Sequence, residues 1–306
     1  MNVVQTNGLS KRFRRTWALR ECTLAVPAGH VVALVGPNGA GKTTLLHQMV
    51  GLASPTSGRI TVLDDLAPGS AAALARVGFV AQDAALYPTL SVADTLHLAR
   101  GLNPRYDADW AGRRLVELGI PLERKVGTLS GGQHAQLALT AVLAKRPDLL
   151  VLDEPVARLD PLARHEFMAT LMAAVADDGL SVIFSSHVIA ELERVCDYLV
   201  LLTGGRVQVA GEVDALLAGH RLLTGPATEA PVVAERVPVV RRRLAGRQAH
   251  LLARTNGGPA PALPSHWEAR RVGLEDLVLA YLREPDINVL PGSELMAAGA
   301  TRALGR

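Results

Sequence analysis

Cysteine is nearly absent. Cys22 and Cys196 stand far apart without paired spacing, which excludes a disulfide framework and a cysteine metal site and suits a reducing compartment. No apolar run approaches the ~20 residues that a membrane-crossing helix needs, so any membrane role is expected to come through a separate chain. Met1–Gln5 lacks the basic and apolar regions of a signal peptide, and a cytoplasmic chain is expected. Lysine is scarce as well: only Lys11, Lys42, Lys125 and Lys145 stand among the 32 basic residues. Net charge is only +3. It is spread along the chain, and the two short clusters, Lys11–Arg15 and Arg241–Arg243, read as solvated faces. Nucleic acid is therefore not an expected partner, although the pI is near 9.1. No internal repeat is visible.

What is present is apolar surface, 49% of 306 residues. That is enough for a sizeable core in one large domain or two ordinary ones. Residues 2–7 and 22–26 read as short strands bridged by a basic segment. Val31–Val35 reads as a strand buried on both faces, as do Leu149–Leu152 and Ser181–Phe184. Between the Val77–Val80 strand and Leu149, the segments 91–101, 107–119 and 131–145 read as helices, a helical insertion spanning about 83–146. Asp160 is placed as a helix N-cap with Pro161 at the first helical position. A helix over Val188–Cys196 and a hairpin of Tyr198–Leu202 with Arg206–Ala210 follow. Strands alternating with helices predict an α/β fold with a mostly parallel core sheet. The expected domains are 1–221, an accessory α+β unit at 222–284 and a mobile tail at 285–306. In the accessory unit Gly225–Pro226 and Gly257–Pro264 read as loop or linker. Val237–Arg243, Gln248–Arg254 and Glu268–Val272 read as a small sheet, and Leu274–Arg283 as an amphipathic helix.

The chemistry is concentrated at strand ends. Gly36, Pro37, Asn38, Gly39, Ala40, Gly41, Lys42 and Thr43 follow the Val31–Val35 strand and precede a helical pattern at Thr44–Val50, the layout of a phosphate-binding loop. Its glycines let backbone N–H groups turn inward around an anion, at the positive end of the following helix. Lys42 can reach terminal phosphates and the Thr43 hydroxyl can ligate Mg2+. Asp153 and Glu154 end the Leu149–Leu152 strand, where ligands of open parallel sheets bind. One carboxylate there can hold magnesium and its neighbour can deprotonate a water. His187 follows the next strand, able to contact a γ-phosphate or to serve structure alone. Gln82 can reach a metal-bound water or cap a turn. Leu129, Ser130, Gly131, Gly132 and Gln133 precede a helix and form a second anion site.

Taken together, Gly36–Thr44, Gln82, Leu129–Gln133, Leu149–Glu154, Ala157–Asp160 and His187 resemble the motifs of an ABC transporter ATP-binding subunit, over roughly residues 2–220. The resemblance implies a P-loop ABC-type ATPase domain with an N-terminal antiparallel β subdomain and a helical insertion. It implies ATP and Mg2+ as ligands. Phe13, or failing it Trp17, would stack on adenine. Gly36, Asn38, Gly39, Gly41, Lys42, Thr43 and Thr44 would bind phosphates, and Thr43, Gln82 and Asp153 would organise the metal. Glu154 would be the general base and His187 would hold the γ-phosphate. Ser130, Gly131, Gly132, Gln133 and Asp160 would complete the site of a second, identical nucleotide-binding subunit. The implied partner is a separate membrane permease, met at the helical insertion and Ala84–Pro88 edge, which would hold the chain on the inner face of the membrane. The appended C-terminal region resembles exporter ATPases. A soluble ATPase acting on ribosomes or nucleic acid is the competing reading. Arg158, where the family favours a small residue, and His134, where it favours a basic one, depart from the pattern.

Overall fold

The computed structural model describes residues 1–186, 189–255, 263–285 and 287. In chain order its strands and helices are β1 (Asn2–Phe13), β2 (Thr16–Pro27), β3 (Val31–Val35), α1 (Lys42–Met49), β4 (Ser57–Val62), α2 (Ala71–Arg76) and β5 (Val77–Val80). The helical insertion follows as α3 (Val92–Leu102), α4 (Ala108–Glu117) and α5 (Gly131–Leu143). Then come β6 (Leu149–Asp153), α6 (Pro161–Asp178), β7 (Ser181–Ser185), α7 (Ile189–Leu192), β8 (Tyr198–Thr203), β9 (Arg206–Glu212) and α8 (Val213–Ala218). The chain continues through β10 (His220–Pro226), α9 (Ala230–Arg236), β11 (Val239–Ala245), β12 (Gln248–Arg254), β13 (Glu268–Arg270) and α10 (Leu274–Arg283).

The central sheet has the order β5-β6-β7-β3-β8-β9, parallel throughout except for β9. Strands β3, β6 and β7 are buried at every position because both faces of the sheet are covered. The two-residue period of a strand divides them between two cores. Val31, Ala33 and Val35 face one core with Leu150, Leu152, Phe167 and Phe184. Val32 and Leu34 face the other with Val151, Ile183, Leu45 and Leu46 of α1 and the antiparallel sheet β2-β1-β4. The insertion has its own small core around Leu96, Leu115 and Leu137. Its helices start where their caps dictate. Ser91 with Asp94 and Ser130 with Gln133 form capping boxes, and Asp107 and Asp160 accept backbone N–H bonds at the starts of α4 and α6. No helix among the described residues is long and apolar enough to cross a membrane.

Several expectations need correction. The first two strands are twelve residues each, not short, and meet in a tight hairpin. Register shifts between Thr6 and Leu9 and between Leu9 and Lys11, beside the left-handed Gly8, break the alternation that would reveal a long strand. Gly225–Pro226 is the end of β10, paired with Ala249 and Gln248, rather than a linker, and the expected division after residue 221 falls within that strand. α9 carries Pro231 at its N-terminus, where a missing N–H costs nothing. The tail expected at 285–306 lies, apart from Pro285 and Ile287, outside the described residues, as does most of Gly257–Pro264.

The accessory unit is a four-stranded antiparallel sheet, β11-β12-β10-β13. α9 contributes Ala230 and Val233 to its separate core, with Leu251 and Trp267. Its last helix does not stay within it. Leu274, Leu277, Val278 and Tyr281 of α10 lie in the same core as Leu192 of α7 and Leu216 of α8. Polar groups fix that seating. Gln208 of β9 donates from Nε2 to the carbonyls of Tyr281 at 2.9 Å and Glu284 at 2.8 Å, closing the helix C-terminus. Buried His220 lies 2.6 Å from the Leu216 carbonyl through Nδ1 and 2.8 Å from the Tyr281 hydroxyl through Nε2. A carbonyl only accepts, so Nδ1 carries the proton and Nε2 accepts from the tyrosine.

Candidate functional site

The sheet order places β7 between β3 and β6, all parallel, so the loops after these three strands open at one end of the sheet. The loop after β3 is Gly36–Gly41. A side chain at Gly36 would collide with the Leu202 carbonyl, and one at Gly41, at φ +103°, with the Ala18 carbonyl. The glycines therefore fit the turn into a space already walled by β8 and β2. Buried Lys42 opens α1 and folds back, its Nζ donating to Gly36 O at 2.8 Å and Pro37 O at 3.4 Å. Asn38, Gly39 and Thr43 are exposed and Thr44 half-buried. The approach of Ala18 to Gly41 brings the β1–β2 hairpin to the loop. Both ring candidates are near that hairpin: Phe13 is 52% exposed and paired with Thr16, and Trp17 is 37% exposed beside Ala18. Lys11 Nζ sits 5.0 Å from the Phe13 ring centre.

The end of β6 presents its two carboxylates differently. Asp153 is the last strand residue, 2% exposed, and its Oδ1 accepts from the Ser185 hydroxyl at 2.7 Å. Glu154 has left the strand, with a left-handed φ of +47°, and its N–H donates to the same Ser185 oxygen at 2.9 Å. One hydroxyl thus fixes the acid and the backbone of its neighbour. A non-glycine residue in this region is strained and persists only where its surroundings enforce it. Ser185 was missed as a site residue. The signal is a hydroxyl at the end of one apolar strand, in register with an acid ending the next, Asp153↔Ser185. His187 lies outside the described residues.

Gln82 is exposed in a turn after β5. It lines, with Asp83, Gly131, His134, Glu154 and Arg158, a cavity of about 190 Å³. Gln82, Glu154 and the Gly131 end of α5 are thereby brought together, while the Lys42 loop is no part of that lining. Arg158 Nη1 lies 2.7 Å from Asp83 Oδ1, joining the turn after β5 to the turn after β6 across the cavity. Burial lowers the His134 pKa below its ordinary 6.5, which leaves a neutral ring near pH 7 where a cation is the family habit. Asp160 faces its own helix, accepting from Leu162 N and Ala163 N at 3.0 Å each.

Ser130 and Gln133 are engaged in the α5 capping box, Ser130 Oγ accepting from Gln133 N and Gln133 Oε1 from Ser130 N, each at 3.2 Å. Gly131 and Gly132 form the first turn; a side chain at Gly132 would press on Ala163 of α6. Arg124, unremarkable in the sequence, braces this loop from behind. It donates to Thr128 O at 2.7 Å and to Gln133 Oε1 at 3.3 Å. Among the described residues no cluster of three or more His, Cys, Asp and Glu forms a metal cage. The available donors near the loop, the Thr43 hydroxyl and the Asp153 carboxylate, are hard oxygens. They fit a magnesium ion that takes its remaining ligands from phosphate and water.

A second feature borders this region. An apolar groove of about 380 Å³ runs between α1, α2, β5, the Ala85–Tyr87 turn, α3 and α5. Five of its large apolar residues, Leu52, Leu74, Tyr87, Leu98 and Leu102, are exposed.

Comparison with known proteins gives one consistent result. The ABC transporter family profile matches residues 19–157. The chain is 38% identical over 225 residues to the Nod factor export ATP-binding protein I of Bradyrhizobium diazoefficiens, covering 70% of this chain and 71% of that relative. It is 34% identical over 220 residues to the sulfate/thiosulfate import ATP-binding protein CysA of Yersinia pseudotuberculosis, covering 69% and 61%. Among solved structures, an ATP-binding subunit of an ABC transporter aligns with a TM-score of 0.62 and 28% identity, over 70% of this chain and 91% of that one.

Proposed function

Because the chain belongs to the ATP-binding subunits of ABC transporters, an ATPase family, we propose that it hydrolyses ATP at the β3–β7–β6 crevice to drive a separate membrane permease. The observation that carries the assignment of residues is the Ser185 bridge. It ties Asp153 and Glu154 together one strand away from the phosphate loop.

In this reading Lys42 exchanges the Gly36 and Pro37 carbonyls for β- and γ-phosphate oxygens, a stronger, charge-assisted pairing. The N–H groups of Asn38 to Thr44 hold the remaining oxygens, and Phe13 stacks on the adenine. Asp153, Thr43 and Gln82 hold magnesium, which when bound neutralises phosphate charge. Glu154 accepts a proton from water as the water oxygen attacks the γ-phosphorus; the bond to the bridging oxygen breaks and ADP leaves with the electron pair. His187 holds the γ-phosphate. Ser130, Gly131 and Gly132 offer the α5 N-terminus to the nucleotide of a second copy, and contacts made only with the γ-phosphate favour the closed pair over the open one. Gln133 and Asp160 serve that interface by holding the first turns of α5 and α6.

The exposed apolar groove supports docking of the permease, since a contiguous apolar surface of this kind marks an interaction site. We take export as the direction, because the export relative aligns at higher identity and over more of its own length than the import relative. The test is Glu154→Gln. With ATP it is expected to stay bound, form a dimer by light scattering and release phosphate at least about 100-fold more slowly, the lower end of general-base effects. Undiminished phosphate release would remove Glu154 from the role. In cells carrying that variant, comparison of small-molecule contents should show retention of the cargo; depletion would reverse the direction.

A further inference from the structure

The apolar groove has one charged member. Lys145 follows α5, and its Nζ donates to the Val77 carbonyl at the start of β5, at 2.8 Å. That carbonyl uses one of the three ammonium donors. Among the described residues no carboxylate pairs with Lys145. The nearby acid, Asp148, is engaged by Arg76 and Arg105, with Arg105 Nη2 at 3.7 Å. Burial, and then the charge of Arg105, lower the Lys145 pKa. A cation here is thus half-buried, beside another cation, in a lining that is otherwise uncharged and mostly apolar, with Leu98, Leu102, Val142 and Phe79 beside the polar Asn103.

A free surface lysine would swing into water and keep its hydration. This one is held against a strand by a backbone bond and, with its remaining donors, lines a groove whose other members are uncharged. A purely apolar ligand filling the groove would strip those donors of water without replacing it, at a cost no packing contact removes. A ligand bringing a carboxylate would instead form a charge-assisted bond in a partly desolvated place, where such bonds are strongest.

We propose that the permease segment received by this groove is an apolar segment presenting one aspartate or glutamate to Lys145, so that Lys145 selects the partner by a single carboxylate. The inference rests on the reading of the groove as the permease site. The apolar walls supply contact area, and the ammonium supplies register and selectivity: a segment with a basic or no polar residue at that position leaves a buried cation unpaired.

The test uses the full chain in its own cells. Membranes are isolated and treated with a carbodiimide, which joins an amine to an adjacent carboxylate without a spacer; Lys11, Lys42 and Lys125 are the only other lysines in the chain. The expected result is an amide between Lys145 Nζ and an aspartate or glutamate of a membrane-embedded chain, identified by mass spectrometry. Leu74→Arg, which obstructs the groove, should abolish both the amide and recovery on membranes. Lys145→Met should lower recovery about tenfold, the low end for a bond to a charged group. Leu244→Arg, on the accessory sheet, should leave recovery unchanged. Recovery that depends on Leu74 but yields no Lys145 amide and ignores Lys145→Met overturns the carboxylate pairing and leaves the groove reading standing. Recovery that ignores Leu74→Arg and Leu98→Arg overturns the groove reading, and the pairing with it.

Discussion

The proposed nucleotide crevice and the seat of α10 use polar side chains in opposite ways. In the crevice, Lys42 rests on two backbone carbonyls that a better acceptor can replace, Gln82 is exposed, and Glu154 is held at a strained φ of +47°. At the α10 seat, Gln208, His220 and Tyr281 are buried and neutral, and their hydrogen bonds run to one another, to the Thr203 hydroxyl and to the backbone. The first set keeps binding capacity in reserve; the second has spent it on attachment. Burial alone therefore does not identify a site. Lys42 and His220 are both buried, yet Lys42 bonds only to carbonyls of the glycine-rich loop, whereas His220 is tied to a hydroxyl and a carbonyl of two helices.

That contrast is tested first by separating binding from stability. Lys42→Ala should raise the ATP dissociation constant by roughly tenfold or more, the scale of a bond to a charged group, while the melting temperature without nucleotide moves little. Calorimetric titration and a melt of the same sample give both quantities. Unchanged affinity would remove Lys42 from the site. A large loss of stability would place it with the structural set instead.

The α10 seat should respond to pH instead. Burial, with a smaller contribution from Arg254, lowers the His220 pKa below its ordinary 6.5, against a raising effect of the Leu216 carbonyl. Tyr281 is pushed up to about 12, chiefly by burial, so its hydroxyl stays neutral and donates to Nε2. Protonating His220 would replace that acceptor by a second donor. A group with a depressed folded pKa binds fewer protons folded than unfolded, so its stabilising contribution is complete above about 6.5 and is lost as pH falls below it. The slope from one such group is at most about 1.4 kcal/mol per pH unit. Denaturant melts from pH 7.5 to 5.5 should show stability falling on acidification, and less steeply in His220→Gln. An identical slope in both proteins would show that His220 does not titrate on unfolding.

How much of this was legible in the sequence follows the same division. The loop at Gly36–Thr43, the acids ending β6, the glycine-containing segment Leu129–Gln133 ahead of a helix and the cap at Asp160 are local patterns, each complete within a few residues, and the fold class follows from the apolar strands between them. Ser185 was not legible as a site residue because its partners lie on another strand, 31 and 32 positions away. Gln208 and Tyr281 are 73 positions apart, and no periodicity predicts that an amide will close a distant helix. The β1–β2 hairpin hid behind bulges, which cancel the alternation by which strands are recognised.

The smallest expected effect concerns a pair belonging to neither set. Arg158 and Asp83 are oppositely charged, 2.7 Å apart, with side chains 73% and 70% exposed. Solvent screening limits such a pair to about 1 kcal/mol or less, roughly fivefold in a rate. Its position gives that small term a direction. It joins the segment carrying Gln82 to the segment following Glu154, so breaking it should loosen the placement of Gln82 over the crevice without touching the phosphate loop. Arg158→Gln and Asp83→Asn are each expected to lower ATPase kcat by about two- to fivefold, with little change in ATP affinity. Placing Asp at 158 and Arg at 83 should restore most of the loss. The difference between wild type and either single variant should shrink as salt rises from 50 to 500 mM, because the Debye length then falls to a few ångströms. If the exchanged pair is no better than the single variants, Arg158 acts through its size or through another surface, and the link between the two turns is an incidental contact.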